Sequence, residues 1–191
     1  MAGLDREPIT AIVGNHQTVR PLNPREIPEP AEVIIAFAHL FDQSPLWARA
    51  FGMYATYGLR PSEIWNLDLT DFGNEYHEVL VMETKTDKER VTYPVPIEWW
   101  DKFTLAEFAP PLTNASTTKG KGSIPTRIFR EKGIKIKAYD LRHFHAVQLL
   151  LAGVDVATAA KWMGHTPEMF QKVYLHWMNR SHHRQVFDRL L

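Results

Sequence analysis

The sequence predicts a mainly helical domain with one small antiparallel sheet, an α+β class. Three observations carry that prediction. Apolar residues recur at helical spacing through most of the chain after Pro30, several of these runs stop at a glycine, and a single pair of short strand-like segments, 78–82 and 90–95, flanks a polar turn. With 191 residues the chain is long enough to bury its own core.

Residues 1–29 lack periodic apolar pattern and carry prolines at 8, 21, 24 and 28, with Pro30 following, which reads as a leader or interdomain linker. The folded domain is expected to cover 30–191. Val33, Ile34, Phe37, Leu40 and Phe41 mark a first helix, and a second fits Pro45–Tyr57, with Ser44 as N-cap and Gly58 as stop. A short helix is expected over Pro61–Leu67, then the hairpin around TKTDKE, then a helix from Trp99 to Phe108 in which the two tryptophans pack into the core. Pro110–Ser123 is rich in turn formers and predicts a mobile surface loop. Helices follow over about 123–132, 139–152 before Gly153, 155–163 before Gly164, and 167–176 entered through Thr166 and Pro167. The tail places Val186, Leu190 and Leu191 on one apolar stripe, as in a short amphipathic helix.

Composition narrows the function. The absence of cysteine removes disulfides and thiolate metal sites, and no apolar run approaches the ~20 residues of a membrane span. MAGLDREPIT has no signal-peptide pattern, so a cytoplasmic protein without a membrane partner is expected. Net charge is zero, yet it is polarised. Seven basic residues stand against Glu131 between Thr117 and Lys137, a local net of +6, while eight acids between Glu63 and Glu89 face Lys85 and Lys88, a local net of −6. Such a basic stretch fits a phosphate-tracking face as well as it fits a solvated surface.

The chemistry-bearing residues sit at element boundaries. YGLRPSEI puts Arg60 at a turn after a helix, with Glu63 in position to brace it. YDLRH puts Tyr139 and Arg142 three apart on one helical face. MGHT places His165 after a glycine-stopped helix, and Tyr174 follows nine residues later, about two turns along the next helix.

Taken in order, GLRPSEI, TKTDKER, YDLRH, MGHT and the following tyrosine resemble the successive catalytic motifs of the tyrosine recombinase (phage integrase) family, over about residues 30–185. The resemblance implies a helical catalytic domain that cleaves and rejoins double-stranded DNA at specific sites, integrating or excising a mobile or prophage element. It also implies roles. Arg60 and Arg142 clamp the scissile phosphate, Tyr174 attacks it to give a 3′-phosphotyrosine, Lys85 protonates the leaving oxygen, and His165 holds a nonbridging oxygen or assists proton transfer. Two fixed guanidinium forks suit the charge that builds on phosphate oxygens, and a covalent ester conserves the bond energy. No metal, nucleotide or other cofactor is therefore expected.

Two departures stand out. The family usually has histidine where this sequence has Tyr139, a phenol that can donate a hydrogen bond to phosphate but is a poorer base near neutral pH than imidazole. The exchange is similar to that in excision recombinases of heterocyst-forming bacteria. The separate DNA-clasping domain that usually precedes the catalytic one has no counterpart in residues 1–29, so weak DNA binding is expected.

Lys88 shares the hairpin turn with Lys85 and competes for its role. Lys119, Lys121, Lys135 and Lys137 are further candidates for phosphate contact. His143 with His145, and His182 with His183, lack the spacing of helical metal ligands. Two other functions use parts of the same pattern: a DNA-binding accessory or inhibitor of a full-length recombinase, and a type IB topoisomerase-like nicking and sealing enzyme. Retained Tyr174, Arg60 and Arg142 count against the first, and the short chain and motif order against the second. The expected assembly is a monomer in free solution and a tetramer on paired DNA sites.

Overall fold

Proline, placed where a missing N–H costs nothing, starts the first two helices. In the computed structural model, which describes residues 27–82, 89–175, 178 and 180–188, α1 spans Pro30–Gln43 and α2 spans Pro45–Tyr57. Ser44 occupies the N-cap position of α2, although its side chain makes no capping bond. Gly58 ends α2 in the left-handed region at φ 61°, as the glycine signal predicts.

The expected helix at Pro61–Leu67 is a single 3-10 turn, Glu63–Trp65, which runs into a two-residue strand. That strand, β1 (Leu67–Asp68), pairs antiparallel with β2 (Val79–Met82), which pairs antiparallel with β3 (Glu89–Thr92). The sheet therefore has a third strand that period-2 reading missed, because two residues carry no alternation. Register places Val81 opposite both Leu67 and Arg90.

The expected helix over Trp99–Phe108 breaks in the middle. α3 covers Trp99–Lys102, Thr104 turns left-handed at φ 49°, and a 3-10 turn takes Leu105–Glu107. Trp99 and Trp100 are buried in the core, Trp99 stacking on Phe144 at 5.3 Å. The proposed loop at Pro110–Ser123 is corrected more strongly, since α4 runs Thr118–Glu131 with the Thr117 hydroxyl accepting from Gly120 N–H at 3.1 Å. Gly120, Gly122 and Pro125 all lower helix propensity, but Pro125 and Phe129 bury one face and tertiary packing prevails. Phe129 meets Phe51, Tyr54 and Trp47 at 5.2, 6.2 and 6.4 Å between ring centroids.

α5 (Ala138–Leu151) is the central helix, packed against α2 and also in contact with α6 (Val156–Met163), α7 (Pro167–Tyr174) and α8 (Arg180–Asp188). Neighbours on several sides bury every residue from Leu141 to Val147, so its arginine and histidines are interior by necessity. Asp155 caps α6 by accepting from Ala157 and Thr158 N–H, Gly164 stops it at φ 63°, and Thr166 caps α7 through Met169 N–H. Within α8 Val186 is half-buried, and Leu190 and Leu191 of the predicted stripe lie outside the described residues. Among the described residues no helix is long and apolar enough to cross a membrane.

Candidate active site

Four of the predicted residues converge where α2, α5, α6 and α7 meet. Arg60 follows the Gly58 turn and is fastened from three directions. Its N–H donates to Glu63 Oε2 at 2.6 Å, Nη1 donates to Glu63 Oε1 at 2.7 Å, and Nη2 donates to the Gly164 carbonyl at 2.9 Å. Its side chain is still 30% exposed, so the fork is fixed and remains accessible.

Glu63 does more than brace Arg60. Its Oε2 also accepts from Arg90 Nη2 at 2.6 Å and lies 3.8 Å from Arg142 Nη1. One buried carboxylate thus faces three guanidiniums, leaving a surplus of positive charge in a region of low dielectric. Burial pushes the Glu63 pKa up, but Arg90, Arg142 and Arg60 outweigh it and hold the carboxyl below its ordinary value.

Arg142 is wholly buried on the inner face of α5. Nη1 donates to the Gly58 carbonyl at 2.6 Å, and Nη2 donates to the Met163 carbonyl and contacts His165 Nε2 at 3.1 Å. Because a guanidinium only donates, His165 Nε2 must be the unprotonated nitrogen, and the neutral ring carries its proton on Nδ1. Burial first, then Arg142 and Arg60, lowers the His165 pKa to about 4, so the ring is neutral at neutral pH.

Tyr174, the last residue of α7, has no exposed surface. Its ring lies parallel to His165 at 5.7 Å and 11°, and Phe170 packs on it at 4.7 Å. His143 meets it at 5.5 Å and 57°, and His143 in turn meets Tyr139 edge-on at 4.9 Å. Tyr139 is 39% exposed, so this row of rings runs from the buried phenol to the surface. Burial raises the Tyr174 pKa, while the charge and hydrogen bond of Arg142 pull it down.

Two glycines make the close approach possible. At Gly164 a Cβ would come within 2.9 Å of Arg90 Cδ and Nε, and at Gly58 within 2.4 Å of His145 Cδ2, both at positive φ. Any side chain there would displace a clamp residue or its support.

Lys85 and Lys88 lie outside the described residues. Lys119 and Lys121 sit in the first turn of α4, and a Cβ on the adjacent Gly122 would lie 4.0 Å from Ser62 Cβ, two residues past Arg60. Lys135 and Lys137 are exposed on the segment leading into α5, where they line a groove with Arg130.

Two residues escaped sequence reading. Arg90 opens the second predicted strand with no role of its own assigned, yet β3 turns Arg90 and Thr92 inward and leaves Val91 half-buried. His143 was weighed only as a metal ligand, although its i, i+4 spacing from Tyr139 put both rings on one face of α5.

No protein-family model matches the chain. Excisase C and Excisase A of Nostoc sp. (strain PCC 7120) are each 29% identical, over 204 and 166 aligned positions, covering 87% and 78% of this chain and 39% and 35% of their own lengths. Tyrosine recombinase XerA of Pyrococcus furiosus is 28% identical over 149 positions, 72% of this chain and 51% of its own. The chain therefore spans about half or less of these relatives. Among solved structures, XerA recombinase superposes with a TM-score of 0.61 at 19% identity, covering 87% of this chain and 66% of that one. The catalytic domain of bacteriophage HP1 integrase gives 0.51 at 19% identity, covering 85% and 93%. The Tn1549 transposon integrase in complex with circular intermediate DNA gives 0.53 at 17% identity, covering 86% and 65%.

Proposed function

We propose, from the premise that this chain is a tyrosine recombinase catalytic domain in fold and in sequence relationship, that it cleaves and rejoins double-stranded DNA at specific sites through a covalent link on Tyr174. The observation that carries this reading is the meeting of three guanidiniums around one carboxylate beside an enclosed tyrosine and a neutral histidine. Three positive charges against one leave a net of two, which is what a pentacoordinate phosphorus with two negative oxygens demands.

In this reading Arg60 and Arg142 hold the nonbridging oxygens and Nδ1–H of His165 donates to one of them. The Tyr174 hydroxyl gives its proton to a base in the site as its oxygen bonds to phosphorus, the bond to the 5′ oxygen breaks, and that oxygen takes a proton from Lys85. The free 5′-hydroxyl of a partner strand then reverses the step, so the phosphodiester energy is conserved. Arg90, through Glu63, ties β3 to the clamp.

Two relatives are named excisases, which makes excision of an integrated element the first direction to test. Lys119, Lys121, Lys135 and Lys137 would track the DNA backbone. We assign a monomer to the free chain and a tetramer to paired DNA sites. Burying the few apolar side chains of the C-terminal segment, at ~1.5 to 3 kcal/mol each, scarcely offsets the ~4 to 15 kcal/mol lost on association without DNA. Light scattering at micromolar concentration distinguishes monomer from dimer.

The test is capture of protein-linked DNA. The chain is incubated with genomic fragments in the presence of a chelator, denatured, and the DNA that remains attached is sequenced. Enrichment of a discrete site by wild type and none by Tyr174→Phe supports the reading. No attached DNA, or equal attachment by Tyr174→Phe, refutes it.

A further inference from the structure

We infer that His143, and not His165, takes the proton from the Tyr174 hydroxyl as its oxygen attacks phosphorus. The inference rests on the recombinase reading and on Tyr174 as nucleophile.

Tyr174 lies between two imidazoles that differ in what they can accept. His165 Nε2 already takes a hydrogen bond from Arg142 at 3.1 Å, and its other nitrogen carries the ring proton. To act as a base it would have to break its bond to the clamp. Its pKa, held near 4 by burial and by Arg142, further disfavours protonation near neutral pH. His165 is thereby suited to donating toward a phosphate oxygen.

His143 has the other geometry. It is 5% exposed, stands one residue beyond Arg142 on α5, and meets the Tyr174 ring at 5.5 Å with a 57° tilt, which leaves the imidazole unstacked on the phenol ring. Its other ring contact is Tyr139, edge-on at 4.9 Å and 74°. Tyr139 reaches solvent at 39% exposure, which places a hydroxyl-bearing ring between the buried imidazole and bulk water. Tyr139 and His143 are four residues apart, so both rings lie on one face of α5.

The titratable and charged groups near His143 are Tyr139 and Arg142 on its own helix and Tyr174 of α7, and the elements packed against α5 bring His165, just before α7, and the half-buried His182 of α8 to the same side of the domain. In the forward step the Tyr174 oxygen bonds to phosphorus, the bond to the 5′ oxygen breaks, the phenol proton passes to His143, and the leaving oxygen receives its proton from the general acid. On rejoining, His143 returns the proton to Tyr174.

The experiment uses the full chain, a nicked duplex carrying the captured site, and single-turnover cleavage from about pH 5.5 to 9. Two substrates are compared, one with the ordinary 5′ oxygen and one with sulfur at that bridging position, whose thiolate leaves without protonation. His143→Gln is expected to slow cleavage about a hundredfold or more and to lose the acidic limb of the wild-type pH profile. Sulfur is expected not to rescue it, whereas sulfur rescues Lys85→Ala. His165→Gln is expected to slow cleavage while keeping the acidic limb. Cleavage by His143→Gln within threefold of wild type, rescue by sulfur, or an unchanged acidic limb overturns the inference.

If His143→Gln does not fold, His143→Ala with added imidazole replaces it. Restoration that follows the titration of the added imidazole supports the inference, and no restoration overturns it. The two levels separate cleanly. No adduct with wild type, or an adduct with Tyr174→Phe, is a failure of the recombinase reading, whereas wild-type cleavage through Tyr174 with an indifferent His143→Gln is a failure of this inference alone.

Discussion

Glu63→Gln removes a charge without removing volume, and the geometry says how much that costs. The carboxylate is 5% exposed and takes hydrogen bonds from Arg60 N–H, Arg60 Nη1 and Arg90 Nη2, with Arg142 Nη1 at 3.8 Å. Glutamine offers one acceptor oxygen and an amide that must face a donor. Removing one partner of a buried ion pair costs about 3–5 kcal/mol, because the remaining charges stay buried and uncompensated. The partners that matter most are Arg90 and Arg142, since Arg60 is solvated enough to screen its own share. Against a total stability of about 5–15 kcal/mol this is a large fraction, and in a domain of this size it lowers Tm by about 6–20 °C. Urea titration followed by circular dichroism reads the change, with the m-value expected to hold. The pH dependence follows from the lowered Glu63 pKa. A depressed carboxyl contributes stability above its unfolded pKa of about 4.3 and loses it as pH falls through the folded value, so wild type and variant converge in acid. A variant within about 1 kcal/mol of wild type at pH 7, or a gap that does not narrow as pH falls below about 4.3, refutes the reasoning.

His145 is wholly buried and its pKa is pushed down to about 3, chiefly by burial. Below about pH 6.5 the unfolded chain takes up a proton that the folded chain refuses, so stability present at pH 7 falls by about 1.4 kcal/mol per unit, or about 2 kcal/mol by pH 5. His145→Gln is expected to flatten that slope in urea titrations at pH 7 and 5, and identical slopes contradict it. Gly58→Ala combines a left-handed φ, at about 1–2 kcal/mol, with a Cβ 2.4 Å from His145 Cδ2 and 2.8 Å from Met163 Sδ, at about 1–3 kcal/mol of overpacking. Thermal unfolding should show a loss of about 2–5 kcal/mol, and a loss under 1 kcal/mol shows that the turn relaxes freely. Tyr139→His is expected to keep or raise the rate of DNA cleavage, whereas a hundredfold drop assigns the phenol an essential role of its own.

Glycines make three helix ends readable from the sequence. Gly58, Gly153 and Gly164 all adopt positive φ where the apolar pattern breaks, and Thr166 with Pro167 marks the start of α7. The clamp was legible for a similar reason, since Arg60, His165 and Tyr174 each sit beside such a boundary. What was hidden depended on distant partners. α4 begins five residues before its predicted start because Thr117 caps it and Pro125 and Phe129 bury its inner face, neither of which local propensity registers. The helix begun at Trp99 breaks at Thr104, a non-glycine residue at φ 49°. Nothing local marks Arg90, because the acid that neutralises it is Glu63, 27 positions earlier. His143 gained its meaning only when α7 brought Tyr174 beside it.

The central claim is that Tyr174 and no other side chain carries the DNA during strand exchange, and one measurement addresses it directly. The adduct formed with wild-type chain is digested with protease and nuclease, and the peptide bearing the nucleotide remnant is sequenced by mass spectrometry. The account predicts a 3′-phosphate on Tyr174 within the peptide PEMFQKVY. A phosphate on Tyr139, the other phenol in the row, or on any serine or histidine would contradict it.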